Sequence, residues 1–488
     1  MDTVVGVLIV VLVLIVVLVL IVLGTLLLQV QTHSTGHHDY HVDGLTGKVV
    51  VVGDRGYTQA RTNWNPFPAF FPKTIVFAQN TLDVVHAVCW ARKNNVSFRL
   101  RSGRHGLTNW SLLNNGLVID VSNMDQIHID EKKGTVIVGP GVTVGDMDEA
   151  LLAKGYILPF GDSGAVGVGG ITLGGGISVI SRTFGTISDS LVGLEMVVAK
   201  SFDSARVVVT NKKHHADLLW ASKGGGGNNF GVATKYVFRF HTAPEKAVYY
   251  RLTWHNWNVL DELIEQWQHL APSADHSFGS ILNLFSRKNG THTCYGLYIG
   301  SEKKLRKILQ PLLNIGSPTV LFKPSSFAAA AKEIFGSTTF EPTTHKYKFH
   351  SQWFNSLIPK QGIQTIRSFL KRGLTKHYEV WMLNWGGAVR DVSPRNTAFF
   401  WRSPKFYMEF DAVWDAEDLT TPGLKWVEAF ADALAPYSVG SYVNVADGNI
   451  QEFGPAYYGT NFDRLKRVKA QYDPLNVFHY PQSIPVEV

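Results

Sequence analysis

The sequence predicts an α+β fold in more than one domain, and three observations carry that expectation. Strand-like and helical runs alternate, but short strand pairs also follow one another directly, which fits α+β better than a doubly wound sheet. Glycine alternates with Val, Ile and Leu from Gly161 to Gly176, and clusters again from Gly224 to Gly227, so backbone is pressed close against something in a buried setting. From about Ala243 to Ser438 glycine thins out while Trp and Phe rise, which marks a second domain. A chain of 488 residues is long enough for two or three domains.

Residue patterns place the elements in order. Lys48–Val52 reads as a strand, Thr81–Asn94 has apolar residues at helical spacing, and Ser97–Arg101 is the next strand. Leu117–Val121 and Thr135–Val138 are further strands. Val144–Gly155 is a helix with Asp146 in its first turn and Gly155 as its stop. Leu191–Ala199 is strand-like. Leu260–Leu270, Ser301–Leu313 and Thr460–Gln471 are helical.

Composition narrows the function classes. The formal charge of +7 is spread without a Lys/Arg block, which reads as mild surface basicity and no nucleic-acid partner. With two cysteines, Cys89 and Cys294, this is no disulfide scaffold; the sequence neither requires nor forbids a bridge between them. No G-x-G-x-x-G lies between a strand and a helix, and no P-loop, H-E-x-x-H or G-x-S-x-G motif occurs. No metal site is expected. A run of free backbone N–H groups in the glycine stretch would still form a nest for phosphate oxygens.

Residues 4–28 form an almost unbroken apolar run without charge, long enough to cross a hydrocarbon core of about 30 Å. Only Asp2 stands before it and no small-residue cleavage site follows, so a retained signal anchor is expected rather than a cleaved signal peptide. Residues 1–28 are then a transmembrane anchor and 29–44 a polar, histidine-containing stalk. Sequons at Asn95, Asn109 and Asn289 point toward a lumenal or extracellular body.

Several segments resemble one family. Arg101-Ser-Gly-Arg-His105, Gly139-Pro-Gly141, Val166–Gly176, Gly224–Gly231 and Tyr472–Pro485 occur, in family order, as in the berberine-bridge-enzyme-like branch of the vanillyl-alcohol-oxidase superfamily. The resemblance spans about Thr58–Pro485. It implies a two-subdomain PCMH-type FAD-binding domain, split between residues 45–242 and 439–488, with an α+β substrate domain at 243–438 inserted. It implies FAD held by the loops at Arg101, Ser102, Gly103, Arg104 and Gly106, at Ser163, Val166, Gly167, Gly169, Gly170, Thr172, Gly174 and Gly175, at Gly231 and Val232, and by Tyr458, Asn461 and Gln482. His105 matches the histidine bonded to the flavin 8α-methyl. Arg104 replaces the usual glycine before it. Ser163 stands where bicovalent members carry a cysteine, so one covalent link is expected. Val166 matches the position that gates dioxygen and goes with oxidases.

By the same resemblance, Ala456–Asn461 matches a segment in which a tyrosine acts as base. Tyr458 is the first choice for that role and Tyr457 the second, a phenol of ordinary pKa about 10 needing help from its surroundings. Asp391 falls where a strand of alkaloid-cyclising members carries a glutamate, and it could orient Tyr458. The expected activity is FAD-dependent oxidation of an alcohol or hemiacetal carbon, a carbohydrate first, with dioxygen as electron acceptor and hydrogen peroxide as product. Oxidation of a secondary metabolite, or flavin binding in a membrane component with little turnover, are the alternatives.

Overall fold

Among the described residues, short apolar runs pair into four sheets, and the largest of them forms one wall of a cavity. The structure, a computed structural model, describes residues 42, 44–159, 161–201, 204–336 and 338–486. The anchor and the stalk read from residues 1–44 therefore lie almost entirely outside the described residues. Among the described residues no helix is long and apolar enough to cross a membrane.

The first sheet contains β1 (Val49–Val51), β2 (Thr74–Phe77), β3 (Phe98–Arg101) and β4 (Leu117–Asp120), in the order β1-β2-β4-β3. β2 and β3 both run parallel to β4. The helix Thr81–Lys93 begins at Asn80, whose side chain accepts from the Leu82 and Asp83 amides. It buries Val84, Ala87, Val88 and Ala91 against the sheet. Each such valine is worth roughly 1.5–3 kcal/mol of burial.

The second sheet is antiparallel. It holds β5 (Ile127–Asp130), β6 (Thr135–Val138), β8 (Leu191–Ser201), β9 (Ser204–Thr210) and β10 (Val232–Arg239), in the order β5-β6-β10-β8-β9. β7 (Tyr156–Ile157) pairs with β11 (His241–Thr242) beside it. The glycine stretch contributes only one short helix, Val168–Leu173.

The third sheet takes its seven strands from the aromatic middle of the chain. These are β12 (Lys246–Trp254), β13 (Ile281–Phe285), β14 (His292–Tyr298), β15 (Thr319–Ser326), β16 (Lys346–Phe354), β17 (Glu379–Asn384) and β18 (Phe406–Trp414). Their order is β15-β12-β14-β13-β17-β18-β16. Alternation along each strand separates two faces. On β18, Met408, Phe410 and Ala412 join a core with the helices Leu260–Ser273, Glu302–Leu313, Lys360–Lys371 and Thr420–Leu434. Tyr407, Glu409 and Asp411 point the other way.

The tail returns as the helix Phe462–Tyr472. The buried Lys469 ammonium holds it down by donating to Asn229 O at 2.7 Å, Asp473 Oδ2 at 2.6 Å and Phe478 O at 2.6 Å. Both cysteines are free. The sequon at Asn109 needs correction as a modification site. Its side chain is buried, accepting from Asn63 and donating to the Asn65 and Pro68 carbonyls, so nothing can be attached to it in the folded chain.

Candidate active site

β3 ends in a loop that a buried cation fixes. Arg101 Nε donates to Asp120 Oδ2 at 2.6 Å, and its Nη2 donates to the Ala60 carbonyl at 2.6 Å. The next turn needs a left-handed residue, and Arg104 supplies it at φ 61°. A non-glycine residue there costs about 1–2 kcal/mol. The Arg104 guanidinium lies between the Phe77 and Phe340 rings, 5.7 and 5.5 Å from their centroids, and 3.9 Å from Asp120. The turn expected of glycine is thus formed with arginine in place.

That turn presents His105. Its ring stacks on Trp64 at 5.9 Å and 19°, and meets the edge of Phe340 at 5.7 Å. Its Nε2 is buried without a hydrogen-bond partner. Burial lowers its pKa to about 4, so the imidazole is neutral at physiological pH and keeps a free lone pair.

The glycine stretch packs against this loop backbone to backbone. A Cβ on Gly103 would stand 2.3 Å from Gly167 N, and one on Gly169 would stand 2.8 Å from Pro140 O. Gly170 instead faces open space, with nothing within 4 Å. Together these walls enclose a cavity of about 700 Å³, in the upper part of the usual ligand-pocket range of about 300–1,000 Å³. Arg101 to Gly106, Ser163, Val166, Gly167, Gly169, Gly170, Gly231, Val232, Tyr457 and Gln482 all line it.

Other expected site residues do not line it. Thr172 is buried behind the glycine wall, the Gly174 face is occupied by Asn444, and Gly175 (φ 118°) packs on Phe399. Asn461 spends its amide on the carbonyls of Pro394, Thr397 and Ala398. Asp391 is exposed at the end of the 3-10 turn Gly387–Asp391 and is absent from the cavity wall. Tyr458 is fully buried away from the cavity, donating to the Gly225 carbonyl at 3.1 Å. The expectation that Tyr458 is the base, with Asp391 behind it, is therefore corrected: neither side chain reaches the space a substrate would fill. Tyr457 does line it, but its hydroxyl donates to Gln482 Oε1 at 2.8 Å and accepts from the Asp447 amide at 3.0 Å. Burial raises its pKa further, so it makes a poor base.

The carboxylates that face the cavity were missed from sequence. Glu379 on β17 and Glu409 and Asp411 on β18 form an acidic floor, and Asp162 adds a fourth carboxylate from the glycine-rich loop. Burial pushes Glu379 up to about 7, with Asn283 Nδ2 donating to it at 3.1 Å. Burial likewise pushes Glu409, which accepts from the Tyr407 hydroxyl at 2.8 Å, up to about 7. Asp411 is raised by burial and by both neighbours. The available signal was parity: in Phe406–Trp414 two acids share one face of an otherwise apolar strand.

Similarity to known proteins shows the family. Residues 72–201 match the FAD binding domain family, and residues 441–485 match the berberine and berberine-like family. The FAD-linked oxidoreductase YvdP of Bacillus subtilis (strain 168) is 42% identical over 449 residues, covering 90% of this chain and 98% of that protein. The chain belongs to the berberine-bridge-enzyme-like FAD-linked oxidoreductases. A more distant relative is the chitooligosaccharide oxidase of Gibberella zeae, 27% identical over 88% of this chain and 91% of that protein. The solved structure of Physcomitrella patens BBE-like 1 superposes with a TM-score of 0.83 at 24% identity, covering 91% of this chain and 98% of that one. As a member of this family the protein is an FAD-binding oxidoreductase, and its cavity fits the cofactor. The unpartnered His105 nitrogen, the open side of Gly170 and the close-packed glycines provide the contacts that a flavin dinucleotide needs.

Proposed function

We propose that this oxidoreductase is an oxidase of a hydroxyl-bearing small molecule, a carbohydrate first, that gives a carbonyl or lactone and hydrogen peroxide. The observation that carries this reading is that His105 and Glu409 line one cavity. FAD, when bound, supplies the acceptor for the hydride lost from the alcohol or hemiacetal carbon. His105, neutral and unpartnered, would hold it, through a single covalent bond since Ser163 offers no thiol. Arg101 and Ser102 fix the loop, and the open side of Gly170 would leave room for the pyrophosphate.

Glu409 is the group proposed to take the hydroxyl proton. Tyr407 orients it, and a pKa near 7 suits a general base at neutral pH. Val166 lines the cavity, and its small side chain is proposed to leave a path for dioxygen. The carbohydrate reading is supported by the relative that oxidises chitooligosaccharides.

The test offers a panel of mono- and oligosaccharides to the purified holoenzyme while peroxide and flavin reduction are followed. Turnover supports the reading; a competent flavin that stays oxidised across the panel overturns it. Glu409→Gln should slow flavin reduction by roughly 10²–10⁴-fold while leaving flavin bound. Acid precipitation should keep the yellow colour in the pellet, and His105→Ala should release it.

Residues 4–28 are proposed as a single-pass membrane anchor, with the body on the lumenal or extracellular side. The full chain should resist carbonate extraction from membranes and a chain beginning at Thr35 should not. Extraction of both would remove the anchor.

A further inference from the structure

The acidic floor has more carboxyl groups than a single proton acceptor needs. In the register of β17 and β18, Glu379 stands directly opposite Asp411, and Trp381 opposite Glu409. Like charges directly opposed across a sheet are destabilising. Asp411 is 4% exposed, and its Oδ1 has no hydrogen-bond partner although the residue lines the cavity. A buried carboxylate in that state calls for a proton or a cation.

The described residues do not supply the cation. Among the described residues, none of Asp162, Glu379, Glu409 and Asp411 forms an ion pair with a lysine or arginine. The arginines on the cavity wall, Arg101 and Arg104, both lie against Asp120. Lys348, from the opposite face of β16, is held by Asp447. Arg251 is turned to the Tyr249 hydroxyl and the Tyr295 ring. Aromatic rings complete the floor: Trp381 stands beside Glu409, Phe349 opposite Asp411, and the Trp381 indole N–H donates to the Tyr295 hydroxyl at 3.4 Å. Carboxylates framed by aromatic faces are the combination that attracts an ammonium group.

We propose that the substrate carries a protonated amine, which Asp411 and Glu379 bind against Trp381 while Glu409 faces the hydroxyl to be oxidised. The class is hydroxyl-bearing primary or secondary amines, free amino sugars among them. This rests on the reading of the cavity as an alcohol-oxidising site, but amine binding can be measured without turnover. Neutral sugars leave Asp411 unsatisfied as an ion, whereas an ammonium group donates to it and neutralises the floor.

The experiment titrates the FAD-loaded full chain at pH 7 with D-glucosamine, N-acetyl-D-glucosamine and D-glucose, reading perturbation of the flavin absorption band. The expected result is at least about tenfold tighter binding of glucosamine than of either neutral sugar, and a Asp411→Asn enzyme in which that ratio falls toward one. Equal or tighter binding of the neutral sugars overturns the proposal, as does a preference unchanged in Asp411→Asn. If Asp411→Asn does not fold, Glu379→Gln carries the same comparison. Amine-selective binding without peroxide or flavin reduction would sink the oxidase reading and leave this one standing. Turnover of neutral sugars without amine selectivity would do the reverse.

Discussion

Tyr457 and Tyr458 are neighbours in the chain with rings 6.0 Å apart at 77°, yet their hydroxyls serve different parts of the molecule. Tyr457 reaches Gln482 at the cavity wall, and Tyr458 reaches the Gly225 carbonyl in the core. The short helix Phe453–Tyr458 turns the two side chains about 100° apart, so one cannot substitute for the other. Tyr458→Phe should therefore cost about 1 kcal/mol of stability for one buried hydrogen bond. Its flavin should be reduced at the wild-type rate. Tyr457→Phe should remove one of the three hydrogen bonds that seat Gln482, whose amide still donates to the Asp447 and Ile450 carbonyls, and raise KM. Stopped-flow reduction of both variants checks this, and a large slowing confined to Tyr458→Phe would restore Tyr458 as the base.

How much of this was legible from sequence follows from the kind of signal each part carried. The helix Thr81–Lys93 and strand Thr135–Val138 were readable because their apolar spacing is local. The His105 turn was readable because Arg-Ser-Gly-x-His is a contiguous motif, and Arg104 at φ 61° confirms that the turn tolerates the substitution. The acidic floor was not, because Glu379 and Asp411 meet only through the pairing of β17 with β18, across the long connection that holds Asp391. Assigning the carboxylate to that loop placed it beyond the end of the strand that faces the cavity.

Arg104 allows the strain at the flavin loop to be separated from its contacts. Replacing it with alanine or with glycine removes the same guanidinium from Phe77, Phe340 and Asp120. Only alanine keeps a Cβ at φ 61°, so Arg104→Ala should be less stable than Arg104→Gly by about 1 kcal/mol. Thermal unfolding of the two variants measures this. Equal stabilities would mean that the turn relaxes once the arginine is gone.

The floor predicts a pH dependence with a definite sign. Burial holds the Glu379 and Glu409 carboxyls at about 7 in the folded chain against an ordinary value of 4.5, so burying them carries no penalty at low pH. The penalty grows as pH rises from about 4.5 to 7 and is complete above it. The other titratable groups facing them are Asp162, Asp411 and the phenols of Tyr295, Tyr347, Tyr407 and Tyr442. Burial moves the pKa of each upward, so none supplies a compensating positive charge. Glu379→Gln should raise Tm relative to the parent at pH 8 and leave it unchanged at pH 4.5. Flavin reduction, if Glu409 is the base, should rise as pH passes through about 7. A reduction rate that falls over that interval would exclude a carboxylate base.

Lys469 tests how far the tail completes the site. Its ammonium is fully buried and joins three segments: the glycine-cluster loop at Asn229, the end of its own helix at Asp473, and the irregular tail at Phe478. Asp473 in turn accepts from the Val477 and Phe478 amides, and Asn229 Oδ1 accepts from the Ile484 amide. Those bonds set where Tyr480 and Gln482 stand on the cavity wall. Lys469→Met would leave Asp473 buried without its counter-ion, a loss of about 3–5 kcal/mol. The double variant Lys469→Met/Asp473→Asn removes the stranded charge and should recover part of that stability. It should not recover the anchoring of the tail, because methionine cannot donate to the Asn229 and Phe478 carbonyls. Flavin should thus be more solvent-exposed in the double variant than in the parent, both measured well below their Tm, as read by quenching of its fluorescence with iodide. Parental quenching in a stable double variant would show that packing alone holds the tail against the cavity.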